Sequence, residues 1–300
     1  MSTTTGFDLD EYLDRIDYSG ARVASLDTLE ALHLAHAQAI PFENLDPLLG
    51  WPVRLDARSL HRKIVSEGRG GYCFEQNLLF GHALTALGFE VAGLSARVLW
   101  NQPAGAIAPR DHMLLLVDLH DRAYIADVGF GGLTLTAPLR LEPNVEQRTP
   151  HERFRLLKRG AEFEVQASVR QRWTPLCRFD LQEQFLPDYE VTNWYLSNHP
   201  RSQFVTGLLA ARPGRDRRYA LRNAELTVHH LDGVSEGRRL TTGCDLRGVL
   251  EDIFLLTLPD APELVSALER IVNARGAMEG ECQPRLEKGP RRSKELFAMR

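Results

Sequence analysis

The stretch Arg69-Gly70-Gly71-Tyr72-Cys73-Phe74-Glu75-Gln76-Asn77 places a cysteine after two glycines, at the head of a run carrying Phe74, Leu78, Leu79, Leu84 and Leu87 and ending at Gly88. Apolar residues at helical spacing, closed by glycine, predict a helix with Cys73 in its first turn. Unpaired N–H groups and the helix dipole at that end favour a thiolate, the nucleophilic form of cysteine. Gly70 and Gly71 read as a sharp turn, and Arg69 as positive charge close to the thiol. Cys177, Cys244 and Cys282 have no comparable setting. The plain alternative is a buried structural cysteine beside a helix start.

A thiolate nucleophile needs a partner that takes up and returns protons, usually an oriented imidazole. His112 stands at the mouth of the strand Met113-Leu114-Leu115-Leu116-Val117, which turns at Leu119-His120-Asp121-Arg122 and returns as Ala123-Tyr124-Ile125-Ala126-Asp127-Val128. An even-numbered hairpin loop puts His112 and Asp127 on one face, directly or diagonally opposed. A carboxylate among apolar neighbours is costly, and holding an imidazole in one tautomer is a sound reason for it. A strand-end histidine and an unrelated aspartate are the alternative.

The chain has 300 residues, 43% hydrophobic and 25% charged, as in ordinary globular proteins of one to three domains. No stretch approaches the ~20 apolar residues of a membrane helix. Met1 to Asp10 lacks a basic and apolar leader, so a cytoplasmic location with reduced thiols is expected. A net charge of -4 argues against nucleic acid as a partner. No cysteine pair has metal-clip or redox spacing. His33 and His36, three apart on one helix, lack a third ligand, so no metal is expected. Gly129-Phe130-Gly131-Gly132 is too short for a dinucleotide fingerprint. Arg212, Arg215, Arg217 and Arg218 read as a solvated charged loop ahead of a phosphate site.

The first ninety-odd residues read as helical: one helix capped by Asp27 with Glu30 completing the box, a second from about Asp56 to Gly68, and the Cys73 helix. From Glu90 short strands follow at Val91–Leu99, Met113–Val117, Tyr124–Val128, Phe154–Leu157 and Glu162–Val169, suggesting a barrel or compact antiparallel sheet. Beyond about Phe204 come a strand pair turning near Asn223, a helix with Leu246, Val249, Leu250 and Phe254, and a last helix from Asp260 to Gly276. The remainder is polar and basic, the composition of a loose tail.

These blocks together resemble the arylamine N-acetyltransferases: Arg69 to Glu75, His112 before an apolar strand, and Asp127-Val128-Gly129-Phe130-Gly131-Gly132. Ile40-Pro41-Phe42-Glu43-Asn44 upstream and Asn193 to Phe204 downstream resemble further family blocks, so the match spans residues 7–275. Asn198, where the family more often has Thr, and the tail depart from the pattern. The resemblance implies an α+β protein with a papain- and transglutaminase-like Cys-His-Asp core. Residues 1–95 would form a helical bundle with the nucleophile, 96–205 a β-barrel with His112 and Asp127, 206–276 an α/β lid, and 277–300 a tail. It implies that acetyl-CoA acetylates Cys73 and that an arylamine, arylhydrazine or arylhydroxylamine then takes the acetyl group. Phe42, Tyr72, Phe130 and Phe204 would meet the acceptor; Trp100, Asp111, Gly131 and Gly132 would meet the coenzyme. The alternatives are an amide synthase or thioester hydrolase on the same triad, and a non-catalytic aryl- or CoA-binding protein.

Overall fold

The computed structural model describes residues 5–103, 105–120 and 122–274. The expected tail at 277–300, the Gly276 stop and Cys282 lie outside the described residues. Helices α1 (Leu9–Arg15), α2 (Leu26–Ala39), α3 (Leu45–Leu49), α4 (Ala57–Leu60) and α5 (Cys73–Ala86) come first, with the short strand β1 (Phe42–Glu43) among them. Ser25, not Asp27, caps α2, because its hydroxyl accepts the Thr28 N–H at 3.2 Å and leaves Asp27 in the first turn. The second helix begins near Asp56 as expected, with Asp56 capping α4, but it then widens into a π-helical turn at His61–Ser66. Residues Cys73 to Gly81 of α5 are all buried, so this helix is the axis of the first core rather than a surface element.

Strands β2 (Glu90–Val98), β3 (Arg110–Leu119), β4 (Arg122–Ala126), β5 (Leu139–Arg140), β6 (Glu146–Arg148), β7 (Arg153–Arg159), β8 (Glu162–Val169) and β9 (Arg172–Phe179) form one antiparallel sheet. It runs in the order β5-β4-β3-β2-β9-β8-β7-β6. The sheet curls into a nearly closed barrel. Its two edges meet through Gln147, whose side chain accepts the Arg140 N–H at 2.7 Å and donates to the Arg140 carbonyl at 2.9 Å. Phe154, Leu156, Val165, Leu176 and Phe179 are among the side chains that fill it. The sequence pattern does not reveal β9, because Pro175 lies inside it, tolerated where the register shifts beside Val165 and Gln166.

Helices α6 (Leu186–Asn198) and α7 (Gln203–Thr206) lead to β10 (Leu209–Pro213), β11 (Arg217–Arg222), β12 (Glu225–His230) and β13 (Ser235–Arg239). These four extend β1 into a five-stranded antiparallel sheet, with Asn223 at positive φ in the β11–β12 turn as expected. Helices α8 (Gly243–Asp252) and α9 (Pro262–Asn273) cover it. α9 starts after Ala261, with Pro262 in its first turn, not at Asp260. Among the described residues no helix is long and apolar enough to cross a membrane.

Candidate active site

Cys73 opens α5, which packs against β2 and β3 of the barrel. The glycines before it serve close approach, not the sharp turn expected. A Cβ on Gly70 would stand 2.1 Å from the Pro41 carbonyl oxygen, and one on Gly71 2.7 Å from Glu75 Oε2. Glu75 accepts the Tyr72 N–H at 3.0 Å and so satisfies a free donor at the helix start. Arg69 does not lend its charge to the thiol. Its guanidinium lies buried against Glu43 and Asp46, each at 2.8 Å, while Lys63 bridges Asp46 at 2.6 Å and Glu75 at 2.7 Å. Burial, with Asp46 and Glu43 nearby, raises Glu75 to about 7 despite Lys63.

His112 and Asp127 meet as their parity on the hairpin requires, with Nε2 of the ring 2.7 Å from Oδ2 of the carboxylate. The register Leu115↔Ala126 makes them diagonal neighbours. β4 ends at Ala126, one residue short of Asp127 and two short of the expected end, because the next N–H groups leave the ladder for side chains. The Asp127 N–H donates to His33 Nε2 at 3.2 Å, the Val128 N–H to Asn77 Oδ1 at 3.0 Å, and the Gly129 N–H to Asp127 Oδ1 at 2.9 Å. Asn77, one helical turn after Cys73, donates to Asp127 Oδ1 at 3.0 Å and to the Met113 carbonyl at 2.8 Å. It ties α5, which Cys73 opens, to both strands of the hairpin. Its only signal in the sequence is the spacing of four from Cys73.

The Cys73 Sγ lies 3.7 Å from the carbonyl oxygen of Asp111, the residue before His112. Burial would lower the His112 pKa, but the Asp127 charge and hydrogen bond, aided by Cys73, push it up to about 10. Asp127 is likewise buried, yet His112, Asn77 and the Gly129 N–H hold it below the usual carboxylate range. At neutral pH the pair is therefore imidazolium and carboxylate. Burial pushes the Cys177 thiol up, with Asp127 and Glu164 adding to the effect.

The aromatic residues expected at the site fall around this centre. The Phe130 ring meets His112 edge-on at 5.2 Å, and Phe204 lies 6.0 Å from Phe42 and 5.2 Å from Tyr72. Tyr72 is wholly buried behind Phe204, with its hydroxyl donated to Asn193. Gly131 lies against Phe42, which a Cβ there would approach at 3.7 Å. Beyond Phe130 opens a cleft of about 730 Å³ between the barrel and β11–β13, lined by Trp100, Phe130, Gly132, Arg170, Arg218 and His229 among others. Asp111 is placed at Cys73 and does not line this cleft; its Oδ1 is buried without a partner. Arg218 lines it but is paired with Glu152, and Arg212 and Arg217 are held by backbone carbonyls and by Asp216.

His33 and His36 serve the protein's own hydrogen bonds: His36 joins the Tyr12 hydroxyl at 2.8 Å to Gln76 Oε1 at 2.7 Å. Among the described residues no three His, Cys, Asp or Glu side chains gather to hold a metal ion.

A family model described as N-acetyltransferase matches residues 25–263. The chain is 44% identical over 254 residues to an arylamine N-acetyltransferase of Escherichia coli (strain K12), covering 84% of this chain and 90% of that one. It is 43% identical to an arylamine N-acetyltransferase / N-hydroxyarylamine O-acetyltransferase of Salmonella typhimurium, over 74% of this chain and 79% of that one. The solved Mycobacterium marinum arylamine N-acetyltransferase in complex with CoA superposes with a TM-score of 0.85 at 40% identity, covering 88% of this chain and 99% of that one. Sequence, barrel architecture and these likenesses agree, and the chain belongs to the arylamine N-acetyltransferase family.

Proposed function

We propose that the protein transfers an acetyl group from acetyl-CoA to the nitrogen of an arylamine, or to an arylhydrazine or arylhydroxylamine, through an acetyl thioester on Cys73. The observation that carries this reading is the His112–Asp127 pair, 2.7 Å apart, with the Cys73 sulfur 3.7 Å from the carbonyl oxygen of the adjoining Asp111. With His112 protonated beside it, Cys73 attacks the acetyl carbonyl as thiolate. The Cys73 carbon–sulfur bond forms, the bond to CoA breaks, and His112 gives its proton to the departing CoA sulfur. His112, now neutral, takes a proton from the acceptor amine as its nitrogen attacks the thioester. Cys73 then leaves as thiolate, and the starting ion pair is restored. Asp127 keeps one ring face toward Cys73 throughout.

The cleft beyond Phe130 offers the Arg170 side chain for a phosphorylated donor and Trp100 for an adenine ring, and Phe130 links that cleft to His112. The CoA bound by the Mycobacterium marinum relative supports the same donor here. Phe42, Phe130 and Phe204 suit a flat aryl acceptor. Cys73 is 4% and His112 3% exposed, which favours transfer over hydrolysis because bulk water has little access to the thioester. Initial rates at several fixed acceptor concentrations test the scheme: reciprocal plots against acetyl-CoA should be parallel. Intersecting lines would require both substrates bound together and would rule out the free acetyl-enzyme.

A further inference from the structure

We propose that His33 is a positioning residue for the acyl-transfer site, its bare Nε2 holding the Asp127 backbone N–H and so fixing the carboxylate that orients His112. The proposal rests on the reading of Cys73, His112 and Asp127 given above.

Asp127 is the first residue past β4, where its N–H would be buried without a ladder partner. His33, 94 residues earlier in sequence on α2, supplies the acceptor at 3.2 Å. Accepting at Nε2 puts the ring's one proton on Nδ1, which is buried and has no partner. An apolar side chain would fill the same space without that unmet donor, so packing alone is a poor reason for the imidazole. Phe80 of α5 meets the ring edge-on at 5.6 Å and fixes its plane, so His33 is clamped between the nucleophile's helix and the Asp127 backbone. Burial lowers the His33 pKa to about 4 against the opposing charge of Asp127, and keeps Nε2 free to accept.

The same helix secures the other half of the site. His36, one turn on, holds Gln76, whose amide donates to the Pro41 carbonyl at 2.7 Å and the Gly71 carbonyl at 3.2 Å, just before Cys73. Both arms of the catalytic arrangement are thus referred to α2, which bears no reacting group.

Two variants and one spectrum test this. His33→Gln keeps an acceptor near the Nε2 position and should hold the Cys73 acetylation rate within about threefold, whereas His33→Phe should lose about a hundredfold in kcat with KM for acetyl-CoA little changed. Alkylation of Cys73 at neutral pH should fall in the Phe variant and recover in the Gln variant. Equal rates in Phe variant and wild type, or equal losses in both variants, would overturn the proposal. Ring 15N shifts of the wild-type protein decide it without a variant. A neutral His33 with hydrogen on Nδ1 and a bare Nε2 supports it, and a proton on Nε2 refutes it. Failure of wild-type Cys73 to acetylate would remove the transfer reading, while the ring tautomer would still report on His33 independently.

Discussion

Replacing Gly129 with alanine probes how closely the Asp127 loop must approach the helix that Cys73 opens. The added Cβ would lie 2.8 Å from both Cys73 Cα and Asn77 Nδ2, and 3.0 Å from the Cys73 carbonyl oxygen. Ordinary Cβ contacts begin at 3.4 Å, and the helix backbone it meets cannot swing aside, so the loop must retreat by about 0.6 Å. Gly129 donates its N–H to Asp127 Oδ1 at 2.9 Å, so the carboxylate moves with it. The 2.7 Å bond to His112 would stretch to about 3.3 Å, beyond the ordinary N–H···O range. A displacement approaching an ångström in a reacting group costs about a hundredfold in rate, and the overpacking about 1–3 kcal/mol of stability. CoA thiol release with a saturating aniline should therefore drop by about two orders of magnitude while Tm falls only a few degrees. Gly237→Ala on β13, where the nearest atom to the new Cβ is 4.0 Å away, serves as control. A Gly129→Ala enzyme within about threefold of wild type would show that the loop's closeness to Cys73 is incidental.

Asp127→Asn should retain the fold yet lose about four orders of magnitude in turnover, since an amide can fix the wrong His112 tautomer; a tenth of the wild-type rate would make Asp127 structural. Limited iodoacetamide should label Cys73 before Cys177, whose thiol burial pushes up, and before the exposed Cys244, with activity lost in step; even labelling across the three contradicts the assigned nucleophile. Glu75 gives a pH signature. Folding raises its pKa from 4.5 to about 7, so the folded state binds this proton more tightly and stability from this group falls as pH climbs through that window. The Tm advantage of wild type over Glu75→Gln should shrink between pH about 5 and about 7; an advantage constant across that window would show Glu75 to be ionised throughout it.

The parts of the molecule legible in its sequence follow from local rules. Apolar spacing and Gly88 bound the Cys73 helix, and hairpin parity yields the His112–Asp127 pair because Leu119 and Arg122 do close a two-residue loop. What the sequence hides depends on contacts distant along the chain. Glu43 and Asp46 look like ordinary solvated charges until Arg69 and Lys63 bury against them. The function of Asn77 exists only where the β3–β4 hairpin meets α5, and that of His33 only where Asp127 runs out of ladder partners. Arg69 misleads for the same reason: nearness to Cys73 in sequence says nothing about where a long side chain points. Gly70 and Gly71 stand out as special in the sequence, but what they avoid is collision with Pro41 and Glu75.

The central claim is a covalent acetyl group on one named sulfur. Intact-mass measurement of the protein after brief incubation with acetyl-CoA should show a gain of about 42 Da, mapped by peptide analysis to Cys73. The gain should persist in buffer and vanish on adding an arylamine, with an equal amount of acetylated amine appearing. An unmodified mass, an adduct at another residue, or an adduct that decays equally fast without any amine would contradict the account.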